Sequence, residues 1–215
     1  MNYTVCLPAA GRGSRTHLHY NKVFYKLPDG QTILEKTLAL FLADPDCREV
    51  LIAAGPEEIE IVAELVGQDP RVKVIAGGKE RQESVYNLVR EAHEDYVLIH
   101  DAARPYLDSE SLERLKATLE NEPACLLAIP AVDTVKIAHP DGTVASTPDR
   151  SLVWQAQTPQ AFVRQLILDC HEKARQANVL ATDDAQLVEL FGQVPVKLVM
   201  GSPANLKITR PEDLQ

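Results

Sequence analysis

The sequence predicts an α/β protein: a Rossmann-like, mostly parallel sheet flanked by helices, with a protruding β-arm. Three observations predict it. Short apolar runs alternate with stretches of helical periodicity as far as about residue 130. Glycine-rich or charged loops follow several of those runs, where open parallel sheets bind their ligands. Between 132 and 154 the pattern breaks into short β-like pieces around His139-Pro140-Asp141-Gly142, a turn sequence. The 215 residues are read as one domain over 1–215, carrying this arm at about 132–154.

Each element has a local reason. Tyr3-Thr4-Val5-Cys6-Leu7 is a short apolar run and reads as a buried strand. Ile33, Leu34, Leu38, Phe41 and Leu42 form a helical stripe that stops near Pro45. Val50 to Ala54 reads as a strand, and Pro56 to Val66 as a helix with proline and acids in its first turn. Val72 to Ala76 is a strand, followed by a helical stripe of Val85, Leu88, Val89 and Ala92. Tyr96 to His100 is the most apolar strand. Leu112, Leu115 and Leu119 mark a helix that Asp108 or Ser109 would cap. Cys125 to Pro130 is a fifth strand. Beyond the arm, Phe162, Leu166, Cys170 and Ala174 mark a long helix. Thr182-Asp183-Asp184 reads as the cap and acidic first turn of a short helix, and Val196 to Met200 as a late strand. Thr209 to Leu214 reads as the first turn of a helix that Gln215 leaves short.

Composition narrows the function. A net charge of −9 leaves no domain-wide basic face for nucleic acid. It still allows a local basic pocket for a small anion. No apolar stretch approaches the ~20 residues of a membrane span, and no secretory signal is evident. Cys6, Cys47, Cys125 and Cys170 are far apart, with no Cys-x-x-Cys pair. Buried thiols in a reducing, cytoplasmic setting are the expectation.

The chemistry-bearing residues cluster after strands. Pro8 to Lys22 holds Gly11 and Gly13 with Arg12, Arg15 and Lys22. Glycines let backbone N–H groups approach a ligand, and cations at a strand end suit polyphosphate. The stretch is not a dinucleotide fingerprint, since Thr16 stands where a third small residue belongs, and it is not a P-loop. On spacing alone, a nucleoside-triphosphate site and an ordinary strand-to-helix turn with solvated arginines both remain open. Further clusters are Gly77-Gly78-Lys79-Glu80-Arg81 with Ser84, His100-Asp101-Ala102-Ala103-Arg104-Pro105, and Asn205 to Thr209. Asp101 is a candidate magnesium ligand or a turn cap, and Arg104 a phosphate grip or a surface ion pair. His17, His19 and His100 are weak metal candidates.

The separated motifs together resemble one family. Pro8-Ala9-Ala10-Gly11-Arg12-Gly13-Ser14-Arg15, Lys22, Gly77-Gly78-Lys79-Glu80-Arg81-Gln82-Glu83-Ser84-Val85, His100 to Pro105, Asp133-Thr134-Val135-Lys136, Trp154 to Gln160 and Lys207 to Leu214 resemble, in order, the 2-C-methyl-D-erythritol 4-phosphate cytidylyltransferases. The resemblance implies that CTP and methylerythritol phosphate are joined with release of pyrophosphate, in the presence of magnesium, on the non-mevalonate route to isoprenoid precursors. It implies Arg15 and Lys22 as stabilisers of the transition state, with Arg150 and Lys207 orienting the attacking phosphate. It implies a nucleotide pocket of Pro8, Ala9, Ala10, Gly11, Gly77, Gly78 and Ser84. Gly13, Asp101 and Ala102 are further candidate substrate-binding residues, with Asp101 the candidate metal ligand. Arg104, Thr134, Thr158 and Thr182 match positions around the acceptor. The arm, carrying Thr134 and Arg150, would cross to a second subunit, giving a homodimer with shared active sites. Asn21-Lys22-Val23 departs from the family's Pro-Lys-Gln, which leaves the charge intact but alters what positions it. The nearest rival is a cytidylyltransferase for another polyol phosphate, such as ribitol 5-phosphate. A non-catalytic nucleotide-binding module is a second.

Overall fold

A computed structural model describes residues 1–11, 20–209 and 211–214. Its strands are β1 (Tyr3–Pro8), β2 (Cys47–Ala54), β3 (Val72–Ala76), β4 (Tyr96–Ile99), β5 (Ala124–Pro130), β6 (Ile137–Ala138), β7 (Val144–Ser146), β8 (Trp154–Val163) and β9 (Lys197–Met200). Its helices are α1 (Ile33–Leu42), α2 (Ile59–Val66), α3 (Arg81–Glu91), α4 (Ser109–Leu119), α5 (Arg164–Gln176) and α6 (Asp184–Phe191). The main sheet has seven strands in the order β3-β2-β1-β4-β8-β5-β9. β8 runs antiparallel to both its neighbours, and the other pairings are parallel.

Period-two alternation divides the core between the two faces. Val5 and Leu7 of β1, Val50, Ile52 and Ala54 of β2, Leu98 of β4 and Leu127 of β5 pack with Leu34, Leu38 and Phe41 of α1, Val62 of α2, and Leu112, Leu115 and Leu119 of α4. Cys6, Leu51, Ala53, Val97, Ile99 and Leu126 face the other way, onto Val85, Leu88 and Val89 of α3, Ile167 and Cys170 of α5, and Leu187 and Val188 of α6. Strands covered on both sides in this way read as near-continuous apolar runs. The four cysteines are buried and unpaired.

Local signals set several boundaries. Thr32 and Glu35 form a reciprocal capping box at α1. Asp108 caps α4 by accepting from the Ser111 N–H, and Asp183 caps α6 by accepting from the Gln186 N–H. α2 begins at Ile59 rather than Pro56, because 56–58 form a turn. The arm contains a two-stranded hairpin, β6 with β7, across the His139–Gly142 turn, where the His139 C=O accepts from the Gly142 N–H.

One expectation is corrected. Phe162 belongs to β8, not to the following helix, which starts at Arg164. Pro159 weakens the strand signal, since proline cannot donate to a ladder. The strand tolerates it through an irregularity: Gln160 pairs Leu126 and Ala156 pairs Ala128, so 157–159 stand opposite Leu127 alone. A bulge of this kind also redirects side chains, and it puts Thr158 beside the end of β4.

Candidate active site

The order of strands reverses between β1 and β4: β2 and β3 lie on one side, β8, β5 and β9 on the other. Ligands of doubly wound sheets bind in the crevice that such a reversal opens at the carboxyl ends. A cleft of about 390 Å³ lies there, lined by Pro8–Gly11, Asn21–Val23, Gly78–Arg81, Ser84, Asp101–Ala103, Lys207 and Thr209. A second hollow adjoins it, sharing Ala10, Gly11, Gly78 and Lys79 and adding Gly55, Pro56, Glu58, Gly77 and Glu83.

The glycine-rich loop after β3 fits closely against the loop after β1. The Gly77 N–H donates to the Ala54 C=O at 2.8 Å, and a Cβ at Gly77 would stand 2.5 Å from the Ala10 Cβ. Only hydrogen fits between these two walls. The Gly78 N–H donates to Ser84 Oγ at 3.0 Å, and the Lys79 N–H to Glu83 Oε2 at 2.8 Å. α3 starts at this point, so its N-terminal partial positive charge faces the cleft.

Asp101 is the electrostatic centre. Lys207 Nζ lies 2.8 Å from its Oδ2, Arg81 Nε donates to its Oδ1 at 3.2 Å, and Arg104 Nε lies 3.6 Å away. Burial raises the carboxyl's pKa, but Arg81, Lys207 and Arg104 outweigh it and hold the group well below the usual carboxylate range. Arg81 also reaches the fully buried Asp184 at 2.8 Å, and so bridges two carboxylates. Behind Asp101 lies a neutral relay. His100 is fully buried, and burial pushes its pKa down to about 4. Its Nε2 donates to the Arg104 C=O at 3.0 Å, a group that can only accept, which makes Nδ1 the acceptor. The Thr158 hydroxyl therefore donates to Nδ1 at 3.1 Å and accepts from the Asp101 N–H at 3.0 Å.

Lys207 arrives from the far edge of the sheet. The segment after β9 crosses the ends of β5 and β8, tied down along its length. The Gly201 N–H donates to the Ala128 C=O at 2.9 Å, and Gln157 Nε2 to the Ser202 C=O at 2.8 Å. Asn205 Nδ2 donates to the Thr158 C=O at 2.8 Å, and Arg104 Nη1 to the Asn205 C=O at 2.6 Å. The Ile208 N–H donates to the Ala103 C=O at 2.9 Å, and Lys22 Nζ donates to the Ile208 C=O at 2.6 Å. This strap joins the two lysines across the cleft.

Pro8, Ala9, Ala10, Gly11, Lys22, Gly78, Ser84, Asp101, Ala102 and Lys207 thus share the main cleft, with Gly77 in the hollow beside it. Arg104 and Thr158 stand behind Asp101, buried. Thr182 is exposed just ahead of α6, and Thr134 is exposed on the arm. Arg150 is also exposed there, donates to the Val132 C=O at 2.9 Å, and lines a separate hollow with Pro130, Ala131 and Asp149. Arg12, Gly13, Arg15, His17 and His19 lie outside the described residues. Sequence reasoning did not assign functional roles to Arg81, Asp184 and Asn21. Arg81 sits inside a noted motif, but nothing in its spacing announces Asp184, 103 residues away. Asn21 takes up the restraint a proline would give: its φ is −64°, a proline value, and its side chain is buried and bonded.

Magnesium fits this donor set in kind. Asp101 is one ionised carboxylate at a backbone-lined anion cleft, and magnesium is commonly held by one or two carboxylates with phosphate oxygens and water. Among the described residues, no group of three His, Cys, Asp or Glu side chains is placed to hold a metal ion.

A glycine-walled, cation-flanked cleft at the reversal point of a doubly wound sheet defines a nucleotide-handling α/β protein. A profile of the 2-C-methyl-D-erythritol 4-phosphate cytidylyltransferases matches residues 3–215. Relatives bearing that name include one from Halalkalibacterium halodurans, 42% identical and covering 100% of this chain and 94% of its own. Another from Clostridioides difficile is 41% identical, covering 99% and 90%. Among solved structures, a 4-diphosphocytidyl-2C-methyl-D-erythritol synthase from Anaerococcus prevotii superposes with a TM-score of 0.89 at 30% identity, over 99% of this chain and 92% of its own. A 2-C-methyl-D-erythritol 4-phosphate cytidylyltransferase from Francisella tularensis gives 0.85 at 33%, over 100% and 97%. The chain belongs to the 2-C-methyl-D-erythritol 4-phosphate cytidylyltransferase family.

Proposed function

We propose that the protein transfers the cytidylyl group of CTP to 2-C-methyl-D-erythritol 4-phosphate, giving 4-diphosphocytidyl-2-C-methyl-D-erythritol and pyrophosphate, for isoprenoid precursor synthesis. The observation that carries this reading is the pairing of Lys207 and Arg81 with Asp101 in a cleft that Lys22 also lines and that Pro8–Gly11 and Gly78 wall. A phosphate oxygen of the acceptor attacks the α-phosphorus of CTP. The bond from that phosphorus to the bridging oxygen breaks, and pyrophosphate leaves with the electron pair. Negative charge gathers at one phosphorus, so catalysis is positioning and charge stabilisation. Two unit charges 4 Å apart at an effective dielectric of about 20 interact by roughly 4 kcal/mol, which sets the scale of one well-placed lysine.

The roles divide by position. The backbone of Pro8–Gly11 and Gly77-Gly78, with Ser84, holds the nucleotide. Arg15 and Lys22 stabilise the five-coordinate phosphorus. Lys207, fixed by Asp101, turns the acceptor phosphate toward it, together with Arg150. Arg104, Thr134, Thr158 and Thr182 belong to the acceptor side. Asp101 would hold magnesium with the phosphates, and the ion would draw charge from them.

The catalytic domain spans 1–215, and the arm at about 132–154 seats on a second copy, so that each site takes Thr134 and Arg150 from its neighbour. Val132 (79% exposed), Val144 (60%) and Leu152 (79%) support this, as apolar side chains held open to solvent on the arm. The setting is cytoplasmic: both substrates are water-soluble anions, and the four cysteines are unpaired thiols. No helix among the described residues is long and apolar enough to cross a membrane.

Pyrophosphate release, measured with each nucleoside triphosphate against each polyol phosphate in magnesium, tests the assignment. CTP with methylerythritol phosphate is the productive pair. Preference for ribitol 5-phosphate sinks the acceptor assignment, and silence with every pair favours a binding module. In the same assay, mixed dimers of Arg150→Ala and Lys22→Ala chains regain activity through one repaired site.

A further inference from the structure

We propose that Asn21 is the positioning residue for Lys22: its buried carboxamide fixes the short backbone turn that presents the lysine at the cleft. The inference rests on the cytidylyl-transfer reading above for its effect on turnover, and on geometry for everything else.

Asn21 is 4% exposed. Its Nδ2 donates to the Ala9 C=O at 2.6 Å and to Glu58 Oε2 at 3.0 Å, and its Oδ1 accepts from the Val23 N–H at 3.3 Å. One side chain therefore ties the end of β1, the entry to α2 and the turn Lys22–Phe24. That turn has three residues, and the Tyr25 N–H closes it onto the Lys22 C=O at 3.0 Å. The Phe24 N–H adds a second bond, to the Asn21 C=O at 3.1 Å, yet so short a turn does not hold itself in water, because two hydrogen bonds do not offset the ordering of its residues. Two things anchor it: the buried Val23 side chain in the core, and the cap that Asn21 supplies, docked on β1, which sets how the turn is aimed.

The docking partners belong to the site. Ala9 lines the main cleft, and Glu58 lines the hollow beside it. Asn21 thus sits between the two compartments, and Lys22 Nζ is placed at the Ile208 C=O, 2.6 Å away, with Lys207 next in the chain. The backbone φ of −64° alone would suit proline, but proline could not reach Ala9 or Glu58. The carboxamide is needed in full: a donor for two acceptors and an acceptor for one N–H.

The test is a double-mutant cycle of Asn21→Ala and Lys22→Ala, read as kcat and KM for CTP. If Asn21 acts through Lys22, Asn21→Ala lowers kcat by ~10- to 100-fold, the scale of a misplaced catalytic group, with a smaller change in KM. In the Lys22→Ala background the same change costs less than about threefold, since coupled residues are non-additive. A second readout needs no turnover: acylation of the Lys22 amine, followed by peptide mass spectrometry, quickens by roughly tenfold in Asn21→Ala as the turn opens locally. If the alanine variant does not fold, Asn21→Asp replaces it, keeping the oxygen that caps Val23 while losing the donor to Ala9 and Glu58. Equal kcat losses in both backgrounds, or unchanged Lys22 labelling, overturn the proposal. A wild-type protein with no turnover sinks the transfer reading instead, and the labelling rate still decides the role of Asn21.

Discussion

Asp101 shows how one carboxylate organises several cations. Lys207, Arg81 and Arg104 would repel one another at these separations, and the single negative charge between them makes the cluster stable. Asp101→Asn is expected to destabilise the fold by roughly 2 kcal/mol, below the 3–5 typical of a fully buried broken pair. The discount follows from exposure, since the Arg81 and Lys207 side chains are 33% and 32% accessible and water screens them. Urea denaturation at neutral pH measures it, and an unchanged midpoint contradicts the assigned balance. At this scale the sequence was partly legible. Glycines, cations and an aspartate after strands marked the cleft. The partners of those residues were not marked, because Arg81 with Asp184, Asn21 with Glu58 and Thr158 with Asp101 meet only through the fold.

The loops and strands explain why the cleft has its shape. The loops after β1 and β3 touch across Gly77, where an added Cβ would lie 2.5 Å from that of Ala10 and 3.2 Å from the Ala54 carbonyl oxygen. Gly77→Ala must push the two walls apart. Its expected effect is a rise of ~10-fold in KM for CTP, with kcat less affected, because the loss falls on ground-state and transition-state binding alike. Steady-state kinetics check it; an unaltered KM removes Gly77 from the nucleotide wall. Elements with a clean period, such as β1, β4 and α4, were readable from sequence. β8 was not, because Pro159 sits inside it and the irregular pairing that accommodates proline is a property of its neighbour β5.

For the molecule as a whole, a loss of stability in acid follows from two histidines kept neutral. Burial pushes His100 and His171 to about 4, against an ordinary value of 6.5. Their folded values lie below their unfolded ones, so the unfolded chain takes up protons first as pH falls. Stability is fully present above about 6.5 and declines toward about 4, by up to ~1.4 kcal/mol per pH unit for each histidine. Asp101, with its depressed pKa, withdraws its own contribution only at lower pH, below the ordinary carboxylate range. Urea midpoints at pH 7 and 5 test the first window, and His171→Leu should halve the difference between them. The alternation of strands and helices made the doubly wound plan legible, including the β6–β7 hairpin as an interruption. The antiparallel β8 and the strap were not, since both are set by long-range pairing.

The strap also gives the protein a timetable. Lys22 and its carbonyl partner Ile208 are 186 residues apart. At ~5–20 residues per second, a ribosome takes roughly 10–40 s to travel from one to the other. Through that interval the growing chain has the glycine loop, and later Asp101, but neither the Ile208 carbonyl nor Lys207. The charged pocket therefore waits on residues far along the chain from the loop they face, and a chain released before Lys207 would carry the glycine-walled cleft without the lysine that pairs Asp101.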